Sequence, residues 1–439
     1  MEPTPAPQPT PSQYRGWLWA ALGVALVVRL AAAIVVETLA QRSGSLCLFD
    51  DTRIYWHLAS TILRGEPYVV MQYDQPHHAL RTPGYPLWLA ACRILSRDST
   101  LAPRLAQAAL GTLAVALLAA LVRRLGSASL DPAQARRAAL ATAWLAALEP
   151  YSAGSSALLL SEGLFGPLLI AGLYCLAIAF DHPSRPTPAL AAGALQGALI
   201  LTRPSYAIYP ILAVPFLAAR QHPPNPQPGP SPRRNRPWTG LTPATLVALG
   251  ALAILAPWWI RNARIYGTFV PTSLWLGASL YDGLNPSATG ASDMRFLDDP
   301  AIRNLDERTQ DRLLRDRALE FVRTHPNRTL TLALIKLGRF FSPWPNAELL
   351  RSTPAALASS AIVLPLYALI AAGIWLRRRD SLSLLFLLGP LACTAAVHLA
   401  FVSSIRYRIP VLVPALGLAG FTLASRLGHT RPGSRETAP

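Results

Sequence analysis

Lysine is almost absent from this chain: Lys336 is its only lysine, although lysine and arginine together number 40. Cysteine is also scarce, and the 4 cysteines form no Cys-x-x-Cys pair and no spacing typical of zinc ligands. Charged residues make up only 14% of the 439 positions, whereas hydrophobic residues make up 52%. These scarcities exclude a cysteine-based zinc domain and argue against a soluble domain with a charged surface.

Arginine supplies nearly all of the positive charge, and the formal net charge is +17. A charge of this size invites a nucleic-acid-binding interpretation. The arginines, however, cluster at the ends of apolar stretches, as they do in the cytoplasmic loops of membrane proteins. No basic face is interleaved with aromatic residues that would stack on bases. The sequence therefore predicts no nucleic-acid partner and favours contact with membrane lipid.

Repeated apolar stretches of bilayer length predict an all-α polytopic membrane protein. Residues 329–344 are ambiguous. If they cross, the chain has eleven spans; if they lie at the interface, it has ten, which keeps Arg377, Arg378 and Arg379 in the cytoplasm and is preferred. Between the fifth and sixth spans, Pro204 removes a backbone donor and predicts a sharp turn at residues 202–204. The predicted spans are residues 16–40, 101–122, 138–148, 164–180, 190–201, 206–219, 241–260, 356–376, 382–401 and 409–427.

The arginines also predict the orientation and the domain organisation. Arg123, Arg124, Arg136 and Arg137 lie in one short loop, which places that loop in the cytoplasm. With ten spans, both termini are also cytoplasmic. The predicted parts are a disordered Pro-rich tail 1–13, a membrane domain 14–427 with outer loops 41–100 and 261–328 and a cytoplasmic linker 220–237, and a cytoplasmic tail 428–439.

Two adjacent carboxylates, Asp50 and Asp51, follow the first span and begin the first outer loop. A carboxylate beside a bilayer is unfavourable unless water, a cation or a substrate compensates it, so the pair suggests a functional site. The alternative is a solvated cap at the end of a span. Tyr55 follows Asp51 at the spacing D-x-x-x-Y.

Seven short motifs follow one another in a specific order. Together they resemble bacterial membrane glycosyltransferases of the GT-C superfamily, in the branch of protein O-mannosyltransferases and the lipid A aminoarabinose transferase (glycosyltransferase family 39-like). The resemblance extends from about residue 16 to residue 427. The motifs are D-x-x-x-Y from Asp51, RTPGYPLWLA at 81–90, SEGLF at 161–165, LTRP at 201–204, PWWIRNARIYGTFVPTS at 257–273, SLYDGLNPSATG at 279–290 and RYRIP at 406–410.

The resemblance implies a GT-C-like helix bundle whose large first outer loop carries interfacial helices. Such enzymes take a sugar from a polyprenyl-phosphate donor on the outer face of the bacterial cytoplasmic membrane. They transfer it to an acceptor hydroxyl, usually with inversion. Asp51 matches the acidic general base of the family best, and Asp50 is the neighbouring candidate. A positioned carboxylate can indeed take the proton of an attacking hydroxyl.

The leaving group in such a reaction is a lipid phosphate, whose developing charge needs cationic stabilisation. Arginine suits this role because its planar guanidinium binds two phosphate oxygens at once. Arg81 matches a basic position of the family's first outer loop. Further candidates lie at outer span ends, where snorkelling to lipid headgroups is the alternative role: Arg203, Arg261, Arg406 and Arg408.

Other polar and aromatic residues are weaker candidates. The resemblance places Glu162 in the active-site cavity, where it would hold the acceptor or a metal ion, although a water-exposed cap is the alternative. Tyr55, Tyr85, Tyr281 and Asn285 are sugar-binding candidates. A divalent ion such as Mn²⁺ or Zn²⁺ is a further candidate cofactor. Its ligands would be Asp74, His77 and His78 with Asp50 or Glu162, and a hydrated loop is the alternative.

A transporter or flippase of lipid-linked sugars is the competing functional interpretation. A transporter of the common kind would show an inverted repeat and charged residues along a path through the spans. The two halves of this chain show no such repeat, so the sequence favours the transferase. Its predicted partners are the polyprenyl-phosphate sugar and an acceptor that is a protein, a lipid or a glycan.

Overall fold

The computed structural model describes residues 10–43, 49–96, 98–221, 241–346 and 352–426. The predicted tail residues 1–9, the linker residues 222–237 and the tail 428–439 lie outside these ranges. Within the described ranges the regular secondary structure is helical apart from one antiparallel hairpin. The strands are β1 (Val70–Gln72) and β2 (Gln75–His77).

The α-helices follow the predicted spans and the outer loops between them. Two 3₁₀ turns, Pro204–Ala207 and Met294–Asp298, join neighbouring helices. The helices are α1 (Pro11–Arg42), α2 (Asp50–Leu63), α3 (Gly84–Ser96), α4 (Leu101–Gly126), α5 (Pro132–Leu148), α6 (Pro150–Ala157), α7 (Ser161–Asp181), α8 (Pro186–Thr202), α9 (Ile208–Gln221), α10 (Pro243–Tyr266), α11 (Leu276–Gly283), α12 (Pro300–Arg303), α13 (Glu307–Thr324), α14 (Pro326–Phe340), α15 (Thr353–Leu376), α16 (Ser381–Leu387), α17 (Gly389–Val397) and α18 (Ile405–Arg426).

The predicted class of all-α polytopic membrane protein is confirmed. Among the described residues, 6 helices are long and apolar enough to cross a bilayer: α1, α4, α7, α10, α15 and α18. The predicted spans 138–148, 190–201 and 206–219 correspond to the shorter helices α5, α8 and α9. The break predicted at Pro204 is also confirmed, because α8 ends at Thr202 and a 3₁₀ turn begins at Pro204.

The structure corrects the prediction of one continuous span over residues 382–401. Two short helices, α16 and α17, occupy this region and meet at Leu388. Pro390 explains the interruption, because it has no amide hydrogen for the carbonyl of Phe386 and its ring would clash with that carbonyl. The Gly389-Pro390 pair in the sequence carried this signal.

Capping side chains explain where two of the helices begin. Helix α1 begins at Pro11, inside the predicted tail 1–13, because Thr10 and Gln13 form a reciprocal capping box. In the outer loop 261–328, the helical segment that follows Asp299 is divided into α12 and α13. Asp306 caps α13 by accepting hydrogen bonds from the amides of Arg308 and Thr309.

Helix α18 lies at the centre of the bundle, packed against α5, α15, α4 and α7. Small residues permit this packing: a Cβ atom at Gly420 would lie 2.1 Å from Thr142 Oγ1. Close approach of this kind is how helices associate in lipid, where the hydrophobic effect between them is weak. Because α18 runs through the centre of the bundle, its first and last turns mark the two ends of the bundle.

The two ends of α18 lie at opposite ends of the bundle. At its carboxyl end, Phe421 packs under the Arg377 guanidinium, with 4.4 Å between Arg377 Cζ and the ring centroid. Arg377 Nη1 also donates to Ser129 Oγ at 2.7 Å. The arginine-rich loop between α4 and α5 and the end of α15 thus share one end of the bundle, as the ten-span interpretation requires. Arg406, in the first turn of α18, lies at the other end.

Candidate active site

Helix α2 presents Asp51 and Tyr55 to the same site. Asp51 lies in the first turn of α2, where the helix dipole favours a carboxylate. Four residues later Tyr55 lies on the same helix face, so the D-x-x-x-Y spacing brings the two side chains together. Tyr55 is buried and packs edge-to-face on Tyr85, with 5.0 Å between the ring centroids.

The β1–β2 hairpin returns the chain so that Arg81 faces Asp51. Its two-residue turn, Tyr73-Asp74, has positive φ angles of 49° and 63°, which suit the twist of a hairpin. After the hairpin, Gly84 allows α3 to start against the end of α8, because a Cβ atom there would lie 2.7 Å from the Leu201 carbonyl. Arg81 Nη2 donates to Asp51 Oδ1 at 3.1 Å.

Arg406 bridges the two carboxylates of the site. Its Nη1 donates to Asp51 Oδ2 at 2.9 Å. Its Nε donates to Glu162 Oε1 at 2.5 Å, and its Nη2 lies 3.4 Å from Glu162 Oε2. One planar guanidinium therefore holds side chains that are far apart in sequence, the geometry for which arginine is suited.

Glu162 is the most buried member of the site, with a side chain only 2% exposed. It lies in the first turn of α7, where the helix dipole again favours a carboxylate. Arg203 Nη1 forms a 2.7 Å ion pair with Glu162 Oε1. The Arg203 guanidinium also lies over the rings of Phe165 and Tyr407, with its Cζ 5.8 and 5.4 Å from their centroids.

The site holds three guanidinium groups and two carboxylates, so it carries one excess positive charge if all are ionised. Burial alone would raise the pKa of Asp51. The charges of Arg81 and Arg406 outweigh that effect and hold the pKa of Asp51 at about 2. Asp51 is consequently ionised and paired at neutral pH. The five charged residues are named below as the Asp51–Glu162 centre: Asp51, Arg81, Glu162, Arg203 and Arg406.

The segment that carries Arg81 is fixed by the second outer loop. Glu307, in α13, accepts hydrogen bonds from the amides of His78 at 2.7 Å and Ala79 at 3.0 Å. Tyr266 donates its hydroxyl to the same carboxylate. Arg261 Nη1 donates to the His78 carbonyl at 2.7 Å. Arg261, a phosphate candidate from the sequence, therefore lies beside the centre and supports the loop that positions Arg81.

Several other predicted residues lie apart from the centre. Arg408 is only 1% exposed, and its Nη1 donates to the carbonyls of Phe340 and Ser342. Tyr281 packs on Phe296, and Asn285 donates to the Tyr281 carbonyl while its own carbonyl accepts from Ser287. These contacts hold the three side chains within their own surroundings rather than against Asp51 or Glu162.

Asp50 and Tyr85 differ in their access to the centre. Asp50, next to Asp51, is exposed at the start of α2. Tyr85 is only 1% exposed, and its hydroxyl donates to Gln107 Oε1 at 3.0 Å. Its ring packs edge-to-face against the ring of Tyr55. Tyr55 is thus the sugar-binding candidate that lies closest to the charges, whereas Tyr85 belongs to the wall behind it.

The ligand set that the sequence suggested for a divalent ion is not brought together among the residues that the structure describes. Within the part of the chain that the structure describes, no group of three or more His, Cys, Asp and Glu side chains is placed to hold a metal ion. Asp74 lies at the exposed tip of the hairpin, whereas His77 is buried beside Glu307, with 3.8 Å between Nδ1 and Oε1. The Asp51 and Glu162 carboxylates are already paired with arginines.

Sequence reasoning missed two aromatic residues that face the arginines. Trp275 lies over Arg81, with 5.4 Å from the arginine Cζ to the ring centroid. Tyr407 lies over Arg203 and stacks on His398, with 4.3 Å between their centroids. Tyr407 belongs to the RYRIP motif, so the sequence did contain a signal that could have identified it. Trp275 lies in a loop without periodicity, and only the fold brings it to Arg81.

No protein-family model matches the chain, and no curated protein sequence matches it. Solved structures do match. The apo oligosaccharyltransferase of Archaeoglobus fulgidus has a TM-score of 0.52 and 16% identity, covering 93% of this chain and 50% of that one. The same organism's oligosaccharyltransferase AglB, in complex with an inhibitory peptide and a dolichol-phosphate, has a TM-score of 0.47 and 13% identity, with 93% and 50% covered.

A third match is ArnT of Cupriavidus metallidurans bound to undecaprenyl phosphate, with a TM-score of 0.42 and 17% identity, covering 92% of this chain and 77% of that one. The chain spans about half the length of the oligosaccharyltransferase. The likeness to that protein establishes the fold. The chain has the GT-C fold that its motifs predicted.

Proposed function

We propose that this protein transfers a sugar from a polyprenyl-phosphate donor to an acceptor hydroxyl on the outer face of the bacterial cytoplasmic membrane. One observation carries the proposal: Asp51 lies between Arg81 and Arg406, with 3.1 and 2.9 Å between the paired atoms. A carboxylate beside guanidinium groups combines a proton acceptor with a phosphate-binding surface. The GT-C fold supports the same reaction class.

The charge of the Asp51–Glu162 centre suits a donor with one phosphate. Three guanidiniums and two carboxylates leave one positive charge, and a phosphodiester of a sugar and a lipid alcohol carries one negative charge. Binding this group would neutralise the centre. A buried site with paired charges is far less unfavourable than one with an unpaired charge.

The reaction assigns a separate task to each part of the centre. The acceptor oxygen attacks the anomeric carbon, and its proton passes to a carboxylate oxygen of Asp51. The bond from the anomeric carbon to the phosphate oxygen breaks, and its electron pair leaves with the lipid phosphate. Arg81 and Arg406 then stabilise the added negative charge, as preorganised donors do in other transferases. Attack opposite the leaving group inverts the anomeric configuration.

The placement of the centre supports the outer-face assignment. The centre lies at the end of the bundle opposite Arg377 and the loop that contains Ser129. That loop is flanked by Arg123, Arg124, Arg136 and Arg137, and such loops remain in the cytoplasm. Both termini would then be cytoplasmic.

The test compares Asp51→Asn with Asp50→Asn. Mass spectrometry of cell-envelope glycans from a deletion strain first identifies the missing sugar and acceptor. Membranes containing each variant are then assayed with the corresponding polyprenyl-phosphate sugar. We expect Asp51→Asn to lower the transfer rate by about 10²- to 10⁴-fold, the usual contribution of a general base. Asp50→Asn removes an exposed neighbour and should keep the rate within about threefold, as an exposed substitution usually does.

A full transfer rate in Asp51→Asn would show that this residue is not the base. A wild-type protein that moves the lipid-linked sugar across vesicles without forming a glycosidic bond would instead support the transporter interpretation. Both outcomes are read from the same vesicles, since glycosidic product and translocated donor are separable by extraction.

A further inference from the structure

We propose that the two carboxylates of the Asp51–Glu162 centre have opposite effects on the donor phosphate. Asp51 occupies the place of the phosphate as a displaceable counter-ion, whereas Glu162 stays in place and positions Arg406 and Arg203. This inference rests on the proposed function, in which a lipid phosphate binds the arginines of the centre. It assigns Glu162 as a positioning residue rather than as a ligand of acceptor or metal.

The two carboxylates differ in exposure and in how the arginines hold them. The Asp51 side chain is 27% exposed, whereas that of Glu162 is 2% exposed. Asp51 receives one terminal nitrogen from Arg81 and one from Arg406. Glu162 faces both Nε and Nη2 of Arg406 and is also paired with Arg203. A ligand can therefore replace the Asp51 contacts while the Glu162 contacts remain.

The geometry of the Arg406 guanidinium makes such an exchange feasible without moving the arginine. Its Nε–Nη2 edge faces Glu162, while Nη1 faces Asp51. A phosphate oxygen that takes Nη1 leaves the Glu162 edge intact. Arg81 offers its Nη2 to the same carboxylate, and Trp275 lies over its guanidinium. Two terminal nitrogens, one from each arginine, thus face one replaceable anion.

Exchange of the counter-ion would also activate the base. With both arginines paired to it, Asp51 has a pKa of about 2 and is a weak proton acceptor. A carboxylate that loses its cationic partners to a phosphate while remaining partly buried has a higher pKa, because burial opposes its charge. The base would become effective only after the donor has bound, so the donor would bind before the acceptor is deprotonated.

Binding of a sugar-free ligand tests this inference without requiring turnover. The full-length protein is reconstituted in nanodiscs of neutral phosphatidylcholine, and a short-chain polyprenyl phosphate is titrated by calorimetry. We expect Asp51→Asn to bind this probe about tenfold more tightly than wild type, which corresponds to about 1.4 kcal/mol. Asp51→Ser, which also removes the charge, should show a gain in the same direction. Glu162→Gln should bind about tenfold more weakly, because Arg406 and Arg203 lose the carboxylate that orients them.

Asp74→Asn is the matched control. It removes one negative charge from the exposed hairpin tip of the same outer loop, so it should leave the affinity unchanged. Equal or weaker binding by both Asp51 variants would overturn the counter-ion role. Tighter binding by Glu162→Gln would overturn its positioning role. Absence of binding in the wild type and in every variant would overturn the proposed function as well, which distinguishes the two failures.

Discussion

Two parts of this protein bury carboxylates, one among charged arginines and the other among neutral hydrogen-bond donors. Asp51 and Glu162 are surrounded by the guanidiniums of Arg81, Arg203 and Arg406. Glu307 is about as buried as Glu162, at 4% exposure, but its partners are two backbone amides and the hydroxyl of a tyrosine. The first centre joins helix ends, and the second joins the hairpin to α10 and α13.

The difference in partners separates a centre whose contacts can be exchanged from one whose contacts are fixed. Backbone amides cannot leave a carboxylate without moving the chain, so Glu307 fixes the segment that carries Arg81. Guanidiniums sit on flexible side chains and carry charge, so they can exchange one anion for another. Of these two centres, the first is the one that carries an excess positive charge. Burial of an acid is therefore a weaker indicator of function than the mobility and charge of its partners.

We expect the largest effect when an arginine of the centre is replaced. The comparison is between Arg406→Lys and Arg408→Lys. These arginines lie two residues apart at the start of α18. A lysine at 406 presents one ammonium group and cannot bridge Asp51 and Glu162 as the guanidinium does. We expect Arg406→Lys to lower the transfer rate by about 100-fold, the usual effect of removing one oriented donor.

Arg408→Lys is the matched control, because Arg408 is buried and donates to the neutral carbonyls of Phe340 and Ser342 rather than to the carboxylates of the centre. We expect it to reduce the free energy of unfolding by about 1–3 kcal/mol through a poorly satisfied buried group, with the rate per folded molecule retained. The rate is measured in the membrane assay and the stability by thermal unfolding in detergent. Equal rate losses in the two variants would remove the distinction between exchangeable and structural partners.

Much of the fold was predictable because its signals are local. Apolar length gives the class and most helix positions, and Pro204 marks a turn within the chain itself. The predicted helix boundaries were wrong where a local helix-breaking or helix-capping motif contradicts the pattern of the surrounding residues. Gly389-Pro390 divides a run that is apolar enough to read as one span, and Thr10 with Gln13 extends α1 into a Pro-rich tail.

The site was predictable in composition but not in pairing. The motifs named Asp51, Arg81, Glu162, Arg203 and Arg406, and the structure brings these five together. They also named Arg408, because an arginine at a span end looks the same whichever side of the helix it occupies. The Arg406–Glu162 pair joins residues 244 positions apart, so no local pattern reports it. Glu307 carries no such signal in the sequence, because two of its partners are backbone amides that any sequence contains.

A smaller effect is expected at the structural centre, where Glu307→Ala leaves the amides of His78 and Ala79 and the Tyr266 hydroxyl without their acceptor. We expect the free energy of unfolding to fall by about 2–3 kcal/mol, as for other buried unsatisfied groups. The rate per folded molecule should fall less than in Arg406→Lys, because Arg81 keeps its own pairing with Asp51. Glu307→Gln, which keeps one acceptor oxygen, should be milder. A rate loss without a stability loss would assign Glu307 to catalysis.

The smallest effect is the pH dependence of stability, which should have opposite signs at the two centres. Arginine charges hold the pKa of Asp51 at about 2, below its usual 3.8. Asp51 thus stabilises the fold above pH 3.8, and this contribution is lost as the pH falls toward 2. Burial raises the pKa of Glu307 above its usual 4.5, despite its hydrogen bonds. Its contribution is therefore present below pH 4.5 and is lost as the pH rises through the raised value.

These opposite signs predict how the unfolding temperatures of Asp51→Asn and Glu307→Gln change with pH. The measurement runs from about pH 3 to 7, the range in which carboxyl groups titrate. Relative to wild type, Asp51→Asn should be most destabilising near neutral pH and should approach wild type as the pH falls. Glu307→Gln should be most destabilising at acidic pH and should approach wild type as the pH rises. Parallel curves would mean that both carboxylates experience the same balance of burial and charge, and the contrast between exchangeable and fixed partners would no longer hold.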